Sequence, residues 1–463
     1  MQPPQVPSAS AREAIVGRRL LGRYDEPHRT CSVPEPSRKN RKKTLMMRDV
    51  QDDAAWARWK AEWDLRPDTT YLNHGSFGPP PRCVRRVRQA WQDAIDQQPM
   101  DFFLRQFEPA WRQARQRLAQ FVGTSPGNLI FVENATSAMN IVADSFPLAA
   151  GDEVLLTDHE YGAVRRIWER ACQRHGARVT TVSLPVPCTE AGVLVDAVCE
   201  AFTERTRLLV VSHITSPTAM ILPVAEWTEQ ARQRGIAVAI DGPHAVAQVP
   251  LAIDALGCDF YAASCHKWLS APFGSGFLYV APQWQACMQP SVLSWGRLPP
   301  GVVESWSDEF VWLGTRNPAA FLAVPEAIAF LETVGLEAFR ARTHALARHA
   351  RLRMLEWTQL APLVPDAPHW YGSMALVPIP PPRRADRQAV VAVSGTGPDE
   401  ARARPCPVGH PLQEQIWQTL RIEVPVVAFR GQRYLRISCH LYNDQAQIDR
   451  LVQGVQRLID QGA

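Results

Sequence analysis

From about residue 71 to 315, short β-branched apolar runs alternate with stretches whose apolar residues recur at helical spacing. "NLIFVE" precedes "SAMNIVADSF", "DEVLLT" precedes "GAVRRIWERACQRHG", "RLLVVSHI" precedes "VAEWTEQARQRG", and "IAVAID" follows. Runs of this length are too short for helices and typical of strands buried on both faces. Strand–helix repetition predicts an α/β fold, with a mainly parallel sheet covered by helices. The pattern then changes. "AAFLAVPEAIAFLETVG" and "LEAFRARTHALARHARLRMLEWTQL" predict long helices, and "SMALVPI" and "RYLRISCHL" predict strands. We therefore expect a large α/β domain over 71–315 and a smaller α+β domain over 316–463. Residues 380–410, rich in Pro, Gly and Arg, interrupt the second domain and read as a surface insertion.

A chain of 463 residues has ample core for two or three domains. Its net charge of +4 is unevenly placed. Residues 1–46 hold ten Arg or Lys against four Asp or Glu, together with several prolines and no apolar periodicity. That composition reads as a disordered basic extension, with 47–70 leading into the fold. The extension is not taken as a nucleic-acid site, and it has no apolar core of a secretory signal. No apolar run approaches the ~18 residues of a membrane span. The ten cysteines show no metal-type spacing, so reduced thiols, a cytoplasmic location and no metal site are expected.

Lysine is scarce: Lys39, Lys42, Lys43, Lys60 and Lys267 are all there are. The last stands alone in "SCHKWLSAPFGSGFLYV", among some four hundred residues that otherwise use arginine for positive charge. Arginine has no free nucleophilic nitrogen at physiological pH, whereas a lysine amine can condense with a carbonyl. Two other strand ends carry chemistry. "IAVAIDGPHAV" closes a buried strand on Asp241, with His244 three residues later. "FVENATSAMN" puts Thr136 and Ser137 at a strand-to-helix junction, where they act as helix caps or as part of a phosphate site. A phosphate cradle, a buried carboxylate and a lysine are the parts that pyridoxal 5'-phosphate needs. Lysine holds its aldehyde, and a carboxylate keeps the pyridine nitrogen protonated.

The sequence resembles the class V aminotransferase family of pyridoxal-phosphate enzymes. The segments "YLNHGSFGPPP", "ENATSAMN", "DHEYGAVRRIWE", "SHITSPTAMILPV" and "LRISCHLYND" are most similar to its isopenicillin N epimerase-like members. The resemblance runs from about residue 69 to 457 and implies a fold type I large domain with a seven-stranded sheet. It makes Lys267 the Schiff-base lysine and the acid/base at Cα. Ser264 and His266 would contact the phosphate with Thr136 and Ser137. Asp241 would pair with the pyridine nitrogen, and His244 and Ser216 would lie near the ring 3-oxygen. Tyr161 would stack on the ring, where many relatives have histidine. Thr315 would reach the partner subunit's phosphate, which implies a homodimer with shared sites. Arg436 would clamp the substrate carboxylate, helped by Asn73. On the residues alone, Tyr161 also reads as core and Arg436 as a surface ion pair.

The cofactor leaves the reaction open. Desulfuration needs a loop cysteine shortly before Arg436, and "LRIEVPVVAFRGQRYLRIS" has none there; Cys406 lies further upstream and Cys439 follows. Epimerisation needs a proton donor on each face of Cα, with His74, Tyr161 or water opposite Lys267. A carbon–sulfur β-lyase needs only Lys267 and a good leaving group, and transamination has no visible second carboxylate site. The expected substrate is an amino acid or an amino-acid-derived peptide, and epimerisation is the preferred outcome. A non-catalytic binding module on this fold would be expected to have lost Lys267 or Asp241, and both are present.

Overall fold

The computed structural model describes residues 50–298, 301–381 and 410–462, all within one compact unit. The basic extension at 1–46 and nearly all of the Pro-rich insertion lie outside the described residues. In chain order the strands are β1 (Thr70–Tyr71), β2 (Leu129–Val132), β3 (Glu153–Thr157), β4 (Arg178–Val182), β5 (Thr206–Ser212) and β6 (Ala237–Asp241). There follow β7 (Phe260–Ser264), β8 (Gly276–Val280), β9 (Met374–Pro378), β10 (Ile422–Glu423), β11 (Val426–Phe429) and β12 (Gln432–Ser438).

Seven strands form one sheet in the order β2-β8-β7-β6-β5-β3-β4. Only β8 runs against its neighbours, so the sheet is mainly parallel, as the alternating pattern predicts. Burial explains the sequence. β2, β3, β6, β7 and β8 are buried throughout, whereas the edge strand β4 leaves Arg178 and Thr181 exposed. On one face, Trp168, Phe146, Met139 and Phe260 fill the space between the sheet and the helices Ala135–Ser145 and Gly162–His175. On another, the rings of Trp111, Phe131 and Phe321 meet with centroids 5.0–5.4 Å apart. Strands β3 and β5 are neighbours while β4 lies outside β3, so the strand order reverses there. A reversal of that kind opens a crevice at the carboxyl ends of the strands.

The C-terminal part is a three-stranded antiparallel sheet, β11-β12-β9, against the helices Leu336–Thr358 and Gln445–Asp460. The stretch expected as one long helix is two, Ala319–Leu322 and Val324–Val334, because Pro325 cannot donate to the preceding turn. The N-terminal segment is stitched into this part. β1 pairs with β10, Asn73 bridges to Ser438, and Asp53 pairs with buried Arg342. Residues 73–78 are thereby carried across to the large sheet. Among the described residues no single helix is long and apolar enough to cross a membrane.

Candidate active site

The carboxyl ends of β2, β3, β5, β6 and β7 lead directly into the residues that the sequence singles out. β6 ends on Asp241, and Gly242 follows because a Cβ there would collide with the ring of Tyr261. The turn then presents His244. β7 ends on Ser264, and three residues later comes Lys267. Its Nζ lies 3.0 Å from Nε2 of His244, whose Nδ1 accepts the indole N–H of Trp268 at 3.2 Å. Burial pushes the Lys267 amine down to about 8; Asp241 resists that shift and Arg436 adds to it. Asp241 is pushed up to about 6 by its own burial, against the pull of Lys267. Its Oδ1 is buried and has no hydrogen-bond partner, which is costly unless a cationic or N–H group completes it.

The strand end of β2 builds the second part. Asn134 caps the helix Ala135–Ser145, its Oδ1 accepting the Ser137 N–H at 2.9 Å. Ser264 Oγ accepts the Ala135 N–H at 3.0 Å, which ties the lysine strand to the helix start and leaves the Ser264 hydroxyl proton free to donate. Thr136 is exposed at the second position of that helix, and Ser137 is half-buried. Nδ1 of His266 is buried without a partner, and burial pushes the ring down to about 4. A helix N-terminus with hydroxyls and an unpartnered imidazole nitrogen suits an anion.

Arg436, in the middle strand β12, is buried and not a surface ion pair. One terminal nitrogen donates to the Ser216 carbonyl at 2.6 Å and its Oγ at 3.1 Å. The other donates to Ser76 Oγ at 2.6 Å and lies 3.5 Å from Asn73 Oδ1. No carboxylate among the described residues pairs with it. Burial pushes it down to about 10, opposed by Tyr161 and Tyr71. Ser216, expected near the ring oxygen, thus has its carbonyl and hydroxyl on Arg436. Tyr161 is 49% exposed just ahead of the helix Gly162–His175, so it is not core. Thr315 is exposed in the loop before Ala319–Leu322.

His74, a candidate for the second face of Cα, is committed elsewhere. Its Nδ1 is 2.8 Å from the Tyr442 hydroxyl and its Nε2 is 2.9 Å from the Lys267 carbonyl. Burial pushes it down to about 3. It braces the lysine turn from beneath, helped by Gly78, where a Cβ would lie 2.6 Å from His74 Nε2 and 2.7 Å from the Lys267 carbonyl. Cys439 is buried and pushed up to about 12, and Cys406 lies outside the described residues.

Three residues escape the sequence reading. Glu160 is buried, its two oxygens accepting from Thr157 Oγ1 at 2.7 Å and Ser212 Oγ at 2.6 Å. Burial pushes it up to about 7, those hydroxyls oppose the shift, and Asp241 adds to it. Ser212 pairs with Asp241 across β5 and β6, so two acids share this corner. In sequence Glu160 reads only as an acid near a helix start. Ser76 and Trp268 carry no signal beyond adjoining His74 and Lys267.

The residues fit pyridoxal phosphate: an unpartnered carboxylate oxygen, an amine near neutrality, an anion cradle and a spare buried guanidinium stand together. The sequence matches the family described as "Aminotransferase class-V" over residues 100–451. It is 38% identical to an isopenicillin N epimerase of Amycolatopsis lactamdurans over 87% of this chain and 98% of that protein. It is 35% identical to the isopenicillin N epimerase of Streptomyces clavuligerus over 88% of this chain and 98% of that one. A putative L-cysteine desulfhydrase of Oryza sativa subsp. japonica is 29% identical over 84% of this chain and 83% of its own length. Among solved structures, the cystine C–S lyase C-DES with its product cysteine persulfide superposes with a TM-score of 0.68. That match has 23% identity and covers 84% of this chain and 97% of the lyase.

Proposed function

The chain belongs to the class V aminotransferase family of pyridoxal-phosphate enzymes, and from that premise we propose that it epimerises the Cα of an amino acid or amino-acid-derived peptide, as isopenicillin N epimerases do. The observation that carries this reading is Arg436, a buried guanidinium with hydroxyl and carbonyl partners and, among the described residues, no acid, whose charge helps hold the Lys267 amine down. A carboxylate docked there gains a charge-assisted, bidentate partner, and its Cα is held close to the lysine amine.

Bound pyridoxal phosphate supplies an electron sink that makes the α-proton acidic. Lys267 would hold it, Asp241 would face its ring nitrogen, and Thr136, Ser137, Ser264 and His266 would take its phosphate. Lys267, with a pKa near neutrality, is matched to removing and returning a proton at Cα. His74 has both nitrogens engaged, which leaves Tyr161 or water for the opposite face. Asn73 and Ser76 would orient Arg436, Tyr161 would stack on the cofactor ring, and His244 would lie near its 3-oxygen. We assign 71–315 to the cofactor domain and 316–463 to the smaller one, since the seven-stranded sheet falls wholly within the first. A homodimer in the cytoplasm completes the reading. The dimer is supported by the exposed Phe77, Phe273, Leu293 and Trp295, which a second subunit would cover, and by the exposed Thr315.

The test is proton NMR in D2O with the purified holoenzyme and a panel of L-amino acids, small peptides and cysteine S-conjugates. Loss of the α-proton signal with the side chain intact and the D-isomer appearing is expected. Release of pyruvate and a sulfur fragment would overturn the epimerase reading in favour of a carbon–sulfur lyase. Arg436→Ala should lower kcat/KM roughly 100-fold or more, mainly through KM, because it removes the buried guanidinium that would pair with the substrate carboxylate.

A further inference from the structure

The bond between Trp268 and His244 has a fixed direction. An indole nitrogen can only donate, so Nδ1 of His244 must offer a lone pair to it at 3.2 Å. The ring is fully enclosed, and burial, Lys267, Arg436 and His266 all hold it well below its usual range, so it carries one proton. With Nδ1 accepting, that proton sits on Nε2, which is 3.0 Å from Nζ of Lys267. The backbone behind the ring is fixed as well: Gln248 donates to the His244 carbonyl at 2.7 Å while its own oxygen accepts the Ser373 N–H at 2.6 Å.

We propose that Trp268 is a positioning residue that locks His244 in the Nε2–H tautomer, so that His244 presents a proton and not a lone pair to Lys267. The consequence follows from hydrogen-bond sense. A neutral amine accepts that N–H, whereas an ammonium would set N–H against N–H. The balance is thereby shifted towards the free amine that a carbonyl condensation requires. Of the other charged groups around Nζ, Arg436 acts in the same direction and Asp241 acts against it. This proposal concerns the chain without its cofactor and stands whichever reaction at Cα proves correct.

The scarcity of lysine makes the test direct. In full-length, cofactor-free protein labelled with 13C at lysine Cε, only five signals arise, and Lys267→Ala identifies the one of interest. Wild-type Lys267 is expected to titrate near 8, with the 15N spectrum of His244 showing a bare Nδ1 and a protonated Nε2. A protonated Nδ1 in the wild type would overturn the proposal without any variant. Trp268→Phe keeps an aromatic ring and removes the donor. It should release the tautomer and raise the Lys267 midpoint by at least ~1 unit, because Nε2 can then accept from the ammonium. An unchanged midpoint and unchanged tautomer in a folded Trp268→Phe protein would overturn it. In a His244→Asn background the same substitution should leave Lys267 unmoved. An equal shift there would mean that the indole acts by another route, which also overturns the proposal.

Discussion

At the scale of the residue, the site is a set of groups that burial holds away from their solution chemistry. Lys267 is brought towards a neutral amine, Arg436 has no acid partner among the described residues, and Asp241 keeps one oxygen unpaired. Glu160 is the least expected member. Its carboxyl is pushed up to about 7, well above the ordinary value, so the native state holds its proton over a range where the unfolded chain has released it. The stabilisation this gives is complete below about 4.5 and is lost as pH rises to about 7. Glu160→Gln is neutral at every pH. It should therefore gain stability relative to wild type across that window, read as a urea midpoint that moves up more at pH 8 than at pH 5. A constant difference between the two pH values would show that Glu160 is ionised throughout.

At the scale of the element, helix starts and strand ends do the placing. Asn134 closes the helix Ala135–Ser145 by accepting the Ser137 N–H, and that helix start is also bonded to Ser264 of β7. Asn134→Ala should cost about 1 kcal/mol of stability, as for other caps. Because the same turn would hold the phosphate, it should also weaken retention of pyridoxal phosphate, measured by cofactor release on dialysis alongside a urea melt. A stability loss with unchanged retention would remove the turn from the cofactor site. The expected long helix over residues 319–335 is broken at Ala323, just ahead of Pro325, since apolar spacing sets a helical face but says nothing of one missing donor.

At the scale of the whole molecule, the buried histidines dominate the pH response. His74, His159, His213, His244, His266, His344 and His440 are all held below the ordinary imidazole value, burial being the first cause in each. A base with a depressed folded pKa contributes stability that is present above about 6.5 and is lost as pH falls towards about 4. Protonating two or three of them would consume an amount comparable with a typical net stability of about 5–15 kcal/mol. The cofactor-free protein should therefore unfold cooperatively between about pH 6 and 4, followed by circular dichroism. A protein still folded at pH 3.5 would mean that these rings reach solvent or proton acceptors in the native state.

The sequence by itself determined the α/β class, the mainly parallel sheet and the family, and it marked out Lys267, Asp241 and Thr136 as candidates. Those features are local: strand runs buried on both faces, a lysine where arginine is the rule, and hydroxyls at a strand-to-helix junction. Only the tertiary structure decided what meets what. His74 and Lys267 are nearly two hundred residues apart, and the N-terminal turn is carried to the lysine by a pairing of β1 with β10 that leaves no periodic trace in two residues. Arg436 owes its meaning to the hydroxyl and carbonyl partners that surround it, and Glu160 to a hydroxyl on a strand fifty-two residues further on. Periodicity records which side of an element is buried; the partner across the gap, and hence the charge and tautomer of each group, is set by the packing of elements distant in the chain.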